Sequence, residues 1–154
     1  PGAVDAVAEL EAAGYRIAIV SNQDAMGWKL VPERQLQRIH KKMIDELEAA
    51  GVWVEEIYVC PHHVLSDCAC RKPRPGLLLA ATRDLNANPR ESWMLGDKVS
   101  DVEAGAAIGC RTIFVGDSTR RKRFAKELRA GRPSAMTKDL PEAVGTILKA
   151  RTGS

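Results

Sequence analysis

Four short apolar runs in this chain each open directly into polar residues, and segments of helical period separate them. Arg16-Ile17-Ala18-Ile19-Val20 opens into Ser21-Asn22-Gln23, and Ile57-Tyr58-Val59 opens into Cys60-Pro61-His62. Ser92-Trp93-Met94-Leu95 runs into Gly96-Asp97-Lys98, and Thr112-Ile113-Phe114-Val115 into Gly116-Asp117. Apolar runs too short for helices predict strands buried on both faces, as in parallel sheets. Between them, Val4, Val7 and Leu10 mark a first helix closed by Gly14. Pro32 opens a second helix with Leu36, Ile39, Met43 and Leu47 on one face, ended by Gly51. Leu77 to Leu85 and Val102 to Ile108 read as helices, the latter stopped by Gly109. A basic helix is expected from about Thr119 to Arg129, and Pro141 opens a last one reaching Ala150. This alternation predicts an α/β fold: a Rossmann-like, doubly wound parallel sheet. No repeat, low-complexity tract or linker interrupts it, so residues 1–154 read as one domain.

Composition narrows the function classes. With 45% hydrophobic and 28% charged residues in 154, the chain is neither disordered nor fibrous. No stretch approaches the roughly 20 apolar residues that span a bilayer. The start, Pro1-Gly2-Ala3-Val4-Asp5, has neither the basic nor the apolar region of a signal peptide. Lys and Arg number 23 against 20 Asp and Glu, a net charge of +3 that demands no polyanionic partner.

Three of the four cysteines lie close together, in Cys60-Pro61-His62-His63 followed by Cys68-Ala69-Cys70. A disulfide framework would spread its cysteines along the chain, so this clustering reads as reduced thiols of a cytoplasmic protein. Two close pairs of thiolate and imidazole donors suit tetrahedral Zn²⁺, with Cys60, His62, Cys68 and Cys70 as ligands and His63 as the alternative to His62. A closed set of four leaves no open position, so such a metal would pin a loop poor in apolar residues. The plainer reading is buried or free thiols with surface histidines. Cys110, on an apolar flank, reads as a core residue.

Phosphate chemistry fits the strand ends. Ser21 offers a hydroxyl to a phosphoryl oxygen, and Arg71-Lys72 supplies two cations before a helix. Asp97 ends a strand and Asp101 follows four residues on, a spacing at which two carboxylates share one Mg²⁺ directly or through water. Each has a plainer role as turn residue, solvated charge or helix cap; it is their joint order at strand ends that points to phosphoryl transfer.

With Ser-Asn-Gln, the run from Cys60 to Gly76 and Gly-Asp-x-x-x-Asp in this order, the chain resembles the haloacid-dehalogenase-like phosphatases. More narrowly it resembles the zinc-containing D-glycero-D-manno-heptose 1,7-bisphosphate phosphatases, with histidinol-phosphate phosphatases as near relatives. The similarity runs from Pro1 to about Ala150. It implies a Mg²⁺-dependent phosphatase of a small phosphorylated sugar, with Ser21 holding the phosphoryl group helped by Asn22, Gln23 and Asp24. Lys72 would stabilise the transferring charge, Arg71 would recognise substrate, and Asp97 would bind Mg²⁺ with Lys98 nearby and Asp101 in support. Cys60, His62, Cys68 and Cys70 would bind Zn²⁺.

Two departures accompany the resemblance. The family's Asp-x-Asp-Gly-Thr, whose first Asp attacks phosphorus and whose second acts as acid and base, is absent; Asp117-Ser118-Thr119 lacks the second carboxylate. The resemblance implies that this motif sits on a central strand between those ending at Ser21 and Gly96. We therefore expect an N-terminally incomplete domain that is inactive alone, its gap filled by re-paired strands, a second copy or further residues, and otherwise monomeric. The family's substrate loop, usually Ser-Gly and then Ala-Arg-Gly, here reads Asp24-Ala25-Met26-Gly27-Trp28-Lys29.

The basic segment 119–132 holds Arg120, Arg121, Lys122, Arg123, Lys126, Arg129 and Arg132. It reads as a solvated face, or as a rim attracting a doubly phosphorylated sugar. Nucleic acid is disfavoured because Phe124 is the segment's one aromatic. The reading from another class is a catalytically inactive, zinc-stabilised module that binds a phosphorylated ligand or a partner chain.

Overall fold

Helices end where the sequence supplies a residue able to turn the chain back. At Gly51, with φ 79°, the amides of Gly51 and Val52 return to the carbonyls of Glu48 and Leu47, and Gly109 (φ 84°) closes a later helix similarly. This is the paired hydrogen bonding that a left-handed residue past a helix end permits. The computed structural model describes residues 2–23 and 32–152. In chain order the elements are α1 (Ala3–Ala12), β1 (Ile17–Asn22), α2 (Glu33–Ala49), β2 (Val54–Cys60), α3 (Gly76–Asp84), β3 (Trp93–Gly96) and α4 (Val99–Ala107). They continue with β4 (Arg111–Val115), α5 (Ser118–Arg123), α6 (Ala125–Gly131), β5 (Ala135–Thr137) and α7 (Leu140–Thr152).

The strands are parallel but form two sheets. β1 pairs with β2, aligning Ser21 with Val59 and Asn22 with Cys60, while the other sheet runs β3-β4-β5. The strand period divides the core: Ile113 of β4 packs with Ala6 and Leu10 of α1 and Ala143, Val144 and Ile147 of α7. The next residue, Phe114, faces the opposite side and packs with Val102 of α4 and Leu128 of α6. Both Ile113 and Phe114 are fully buried, as expected of a sheet covered on both faces.

Between the sheets lies a groove of about 630 Å³, lined along its length by Ile17, Ala18, Ile19 and Val20 from β1 and by Trp93, Met94 and Leu95 from β3. No described strand bridges those two, and every residue of β1 is only partly buried.

Three details differ from the sequence reading. β1 extends through Ser21 and Asn22 because its ladder with β2 continues to Cys60. The basic helix is two helices, α5 and α6, that meet at Phe124, whose ring packs edge-on at 6.4 Å from Phe114. β5 has no signal in the sequence: three residues carry too little apolar pattern, and pairing with β4 makes the strand.

Candidate functional site

The carboxyl ends of β1 and β3 meet at one cleft. Ser21 and Asn22 from β1, Lys72 from the segment before α3, and Asp97, Lys98 and Asp101 after β3 line this cleft of about 220 Å³. The cleft spans both sheets and lies where an open α/β sheet binds ligands.

Lys72 is its best-held charge. Its ammonium donates to the Val20 carbonyl at 2.6 Å and pairs with Asp101 at 2.7 Å, both side chains being almost entirely buried. Asp101 also accepts from the Lys98 amide at 3.1 Å, capping α4 at its third residue. This close approach requires Gly96: a Cβ there would overlap the Asp101 side chain. Asp101, expected beside Mg²⁺, is thus engaged by Lys72 and the helix cap.

Asn22 forms two bonds with Lys72, one to its carbonyl and one from its amide. Gln23 donates through Nε2 to Ser21 Oγ at 2.8 Å, and its own amide bonds the Cys60 carbonyl. Arg71 donates to the His62 carbonyl at 3.4 Å, so it lies against the cysteine-rich loop. Asp97, half-exposed at the cleft, is paired with the Arg120 guanidinium, which also donates to the Asp97 carbonyl. Hydrogen bonding to that carboxylate holds Arg120 above its ordinary pKa. Asp24 and the rest of the Asp24–Lys29 loop lie outside the described residues.

In sequence Arg120 is only one cation in a basic run. Two local signals place it: the Asp117 carboxylate caps α5 by accepting the Arg120 amide at 2.8 Å, and Gly116 leaves room for its stem.

Cys60, His62, Cys68 and Cys70 form one cluster whose ligand atoms all lie within 4.8 Å of one another. Cys60 Sγ is 3.2 Å from Cys70 Sγ, 3.7 Å from Cys68 Sγ and 3.5 Å from His62 Nδ1. A tetrahedron with Zn–S bonds near 2.3 Å has edges of roughly 3.8 Å, so the donor set fits Zn²⁺. All four cysteines of the chain are free. His63 Nδ1 instead accepts from the Leu65 amide at 3.1 Å. Burial opposes ionisation of Cys68, but hydrogen bonds from Cys70, the Arg71 amide and Cys60 outweigh it and lower the thiol to about 7. Burial, followed by the neighbouring sulfurs, pushes Cys70 up to about 12.

Known proteins resemble the chain in sequence and fold. The HAD-hydrolase-like family model matches residues 69–143. A D-glycero-beta-D-manno-heptose-1,7-bisphosphate 7-phosphatase of Pasteurella multocida is 40% identical over 110 residues, 68% of this chain and 60% of that protein. The histidine biosynthesis bifunctional protein HisB of Campylobacter jejuni is 30% identical over 115 residues, 75% of this chain and 33% of that protein. Among solved structures, the D,D-heptose 1,7-bisphosphate phosphatase of B. bronchiseptica, complexed with magnesium and phosphate, superposes with a TM-score of 0.87 at 30% identity. That match covers 97% of this chain and 83% of the other. With fold and sequence in agreement over that length, the chain belongs to the haloacid-dehalogenase-like hydrolase family. It spans about three-fifths of the Pasteurella phosphatase.

Proposed function

We propose that these 154 residues are the greater part of a phosphomonoester hydrolase acting on a small phosphorylated sugar, D-glycero-D-manno-heptose 1,7-bisphosphate foremost. The observation that carries this reading is the buried Lys72 ammonium, fixed in a cleft between Ser21 and Asp97 at the strand ends. A fixed cation there costs no reorganisation when charge develops on a transferring phosphoryl group. Relatives whose names state heptose 1,7-bisphosphate support the choice of substrate.

In this reading the Ser21 hydroxyl donates to a phosphoryl oxygen, and Lys72 faces the charge that builds as the ester bond breaks. Asp97 supplies the hard carboxylate oxygen that Mg²⁺ prefers, and Arg120 must yield it. The bound ion would neutralise phosphoryl charge. Asp101 serves by holding Lys72. The attacking carboxylate is not in the sequence, which has no Asp-x-Asp. We place it on a strand from outside these residues, seated in the groove between β1 and β3 so that its carboxyl end meets the cleft. The edges of β1 and β3 that no described strand pairs, and the apolar lining of that groove, support this placement. The domain 1–154 is then one lobe-spanning unit completed by that strand. A zinc-held thiol cluster suits a reducing compartment, the cytoplasm.

The substrate is tested by measuring phosphate release from the heptose bisphosphate and from histidinol phosphate, using protein supplied with an Asp-x-Asp strand. Faster turnover of the heptose bisphosphate is expected. A preference for histidinol phosphate would move the assignment to the relative represented by HisB.

A further inference from the structure

Lys72 sits in an irregular segment between β2 and α3, yet its ammonium is held by two partners at 2.6 and 2.7 Å. A lysine side chain has many rotamers, so a fixed ammonium needs a fixed backbone beneath it. Asn22 provides that footing. Its Nδ2 donates to the Lys72 carbonyl at 3.0 Å, while its Oδ1 accepts from the Lys72 amide at 3.1 Å. Both ends of one carboxamide are thereby joined to a single residue 50 positions away, reproducing on a side chain the two-way pairing of a strand neighbour.

We infer that Asn22 is a positioning residue that clamps the Lys72 backbone to the end of β1 and so aims its ammonium into the cleft, rather than a ligand of the phosphoryl group. The inference rests on the cleft being a phosphate site, as proposed above. The clamp's location explains why a loop suffices. Asn22 is the register partner of Cys60, and Cys70 precedes Lys72 by two residues, so the clamp lies directly beside the cysteine–histidine cluster. Downstream, the Gly76 amide bonds the Ala69 carbonyl and α3 begins. The cluster fixes the loop on one side of Lys72 and α3 fixes it on the other; Asn22 fixes Lys72 itself. A carboxamide is the group that does this. Aspartate keeps the acceptor but loses the donor, and alanine loses both.

Acylation of the metal-loaded 154-residue protein, read lysine by lysine by mass spectrometry, tests the clamp without requiring turnover. In the parent protein Lys72 should react far more slowly than the exposed Lys41 and Lys42. Losing two hydrogen bonds should raise the Lys72 rate roughly tenfold in Asn22→Ala with Lys41 and Lys42 unchanged. Asn22→Asp, which keeps one bond and covers the case of an alanine variant that fails to fold, should fall between. Lys72 equally protected in both variants, or a rise shared by Lys41 and Lys42, would overturn the inference. Millimolar inorganic phosphate should further slow Lys72 acylation in the parent protein. Its failure to do so, with the Asn22 variants behaving as expected, would count against the phosphate site and leave the clamp standing.

Discussion

The Lys72 ammonium lies 2.7 Å from an Asp101 carboxylate oxygen, and both side chains are more than nine-tenths buried. Water screens this pair poorly, so each charge depends on the other. Asp101→Asn keeps an acceptor for the Lys98 amide but leaves Lys72 without its counter-charge. Breaking a buried pair from one side costs about 3–5 kcal/mol. At roughly 2–4 °C per kcal/mol for a domain of this size, thermal denaturation should show a clear fall in Tm. Lys72→Met combined with Asp101→Leu should recover much of that stability, since no charge is then stranded.

Asp97 should behave in the opposite way. Its side chain and that of Arg120 are each about half-exposed, at 54% and 50%. Solvent weakens such a pair, so Asp97→Asn and Arg120→Ala should each shift stability by no more than ~1 kcal/mol. In the completed enzyme Asp97→Asn should nevertheless abolish turnover. Denaturation and phosphate release measured on the same preparations should separate the two carboxylates: Asp101→Asn lowers stability, whereas Asp97→Asn removes turnover at nearly unchanged stability.

Gly96→Ala tests the packing beneath the cleft. The added methyl would occupy the space of the Asp101 side chain, displacing it from Lys72 or from the Lys98 amide. Overpacking of this kind costs about 1–3 kcal/mol. The expected signature is a lowered Tm together with faster acylation of Lys72.

The purified protein should carry about one zinc per chain by elemental analysis, and Cys60→Ser or Cys70→Ser should remove it. After chelation, the thiols should separate by reactivity. A lowered pKa raises the thiolate fraction at neutral pH, so Cys68, brought to about 7, should alkylate first. Burial raises the pKa of Cys110, which lowers its thiolate fraction, so it should be among the slowest. Raising the pH should narrow the difference, because the Cys110 thiolate grows while that of Cys68 is already formed.

Much of this was legible in the chain because strand ends advertise themselves: an apolar run followed by a polar residue locates Ser21, Cys60 and Asp97 without a structure. Glycines past helix ends were equally plain. What stayed hidden depends on partners distant in sequence. The spacing of Asp97 and Asp101 suggests a shared ion, but only the path of the segment before α3 shows that Lys72 reaches Asp101. Asn22 reads as one more polar residue at a strand end until the peptide of Lys72 is placed beside it. β5 exists because β4 offers an edge, and nothing in Ala135-Met136-Thr137 announces that.

If the cleft is a phosphatase site, its nucleophile comes from a strand between β1 and β3. Phosphate release from heptose 1,7-bisphosphate should be compared for the 154-residue chain alone and for the same chain joined to an Asp-x-Asp strand. No turnover is expected from the chain alone, and turnover lost with Lys72→Ala is expected from the joined protein. Turnover by the 154 residues alone, abolished by Asp97→Asn, would show that the nucleophile lies within them and not on an added strand.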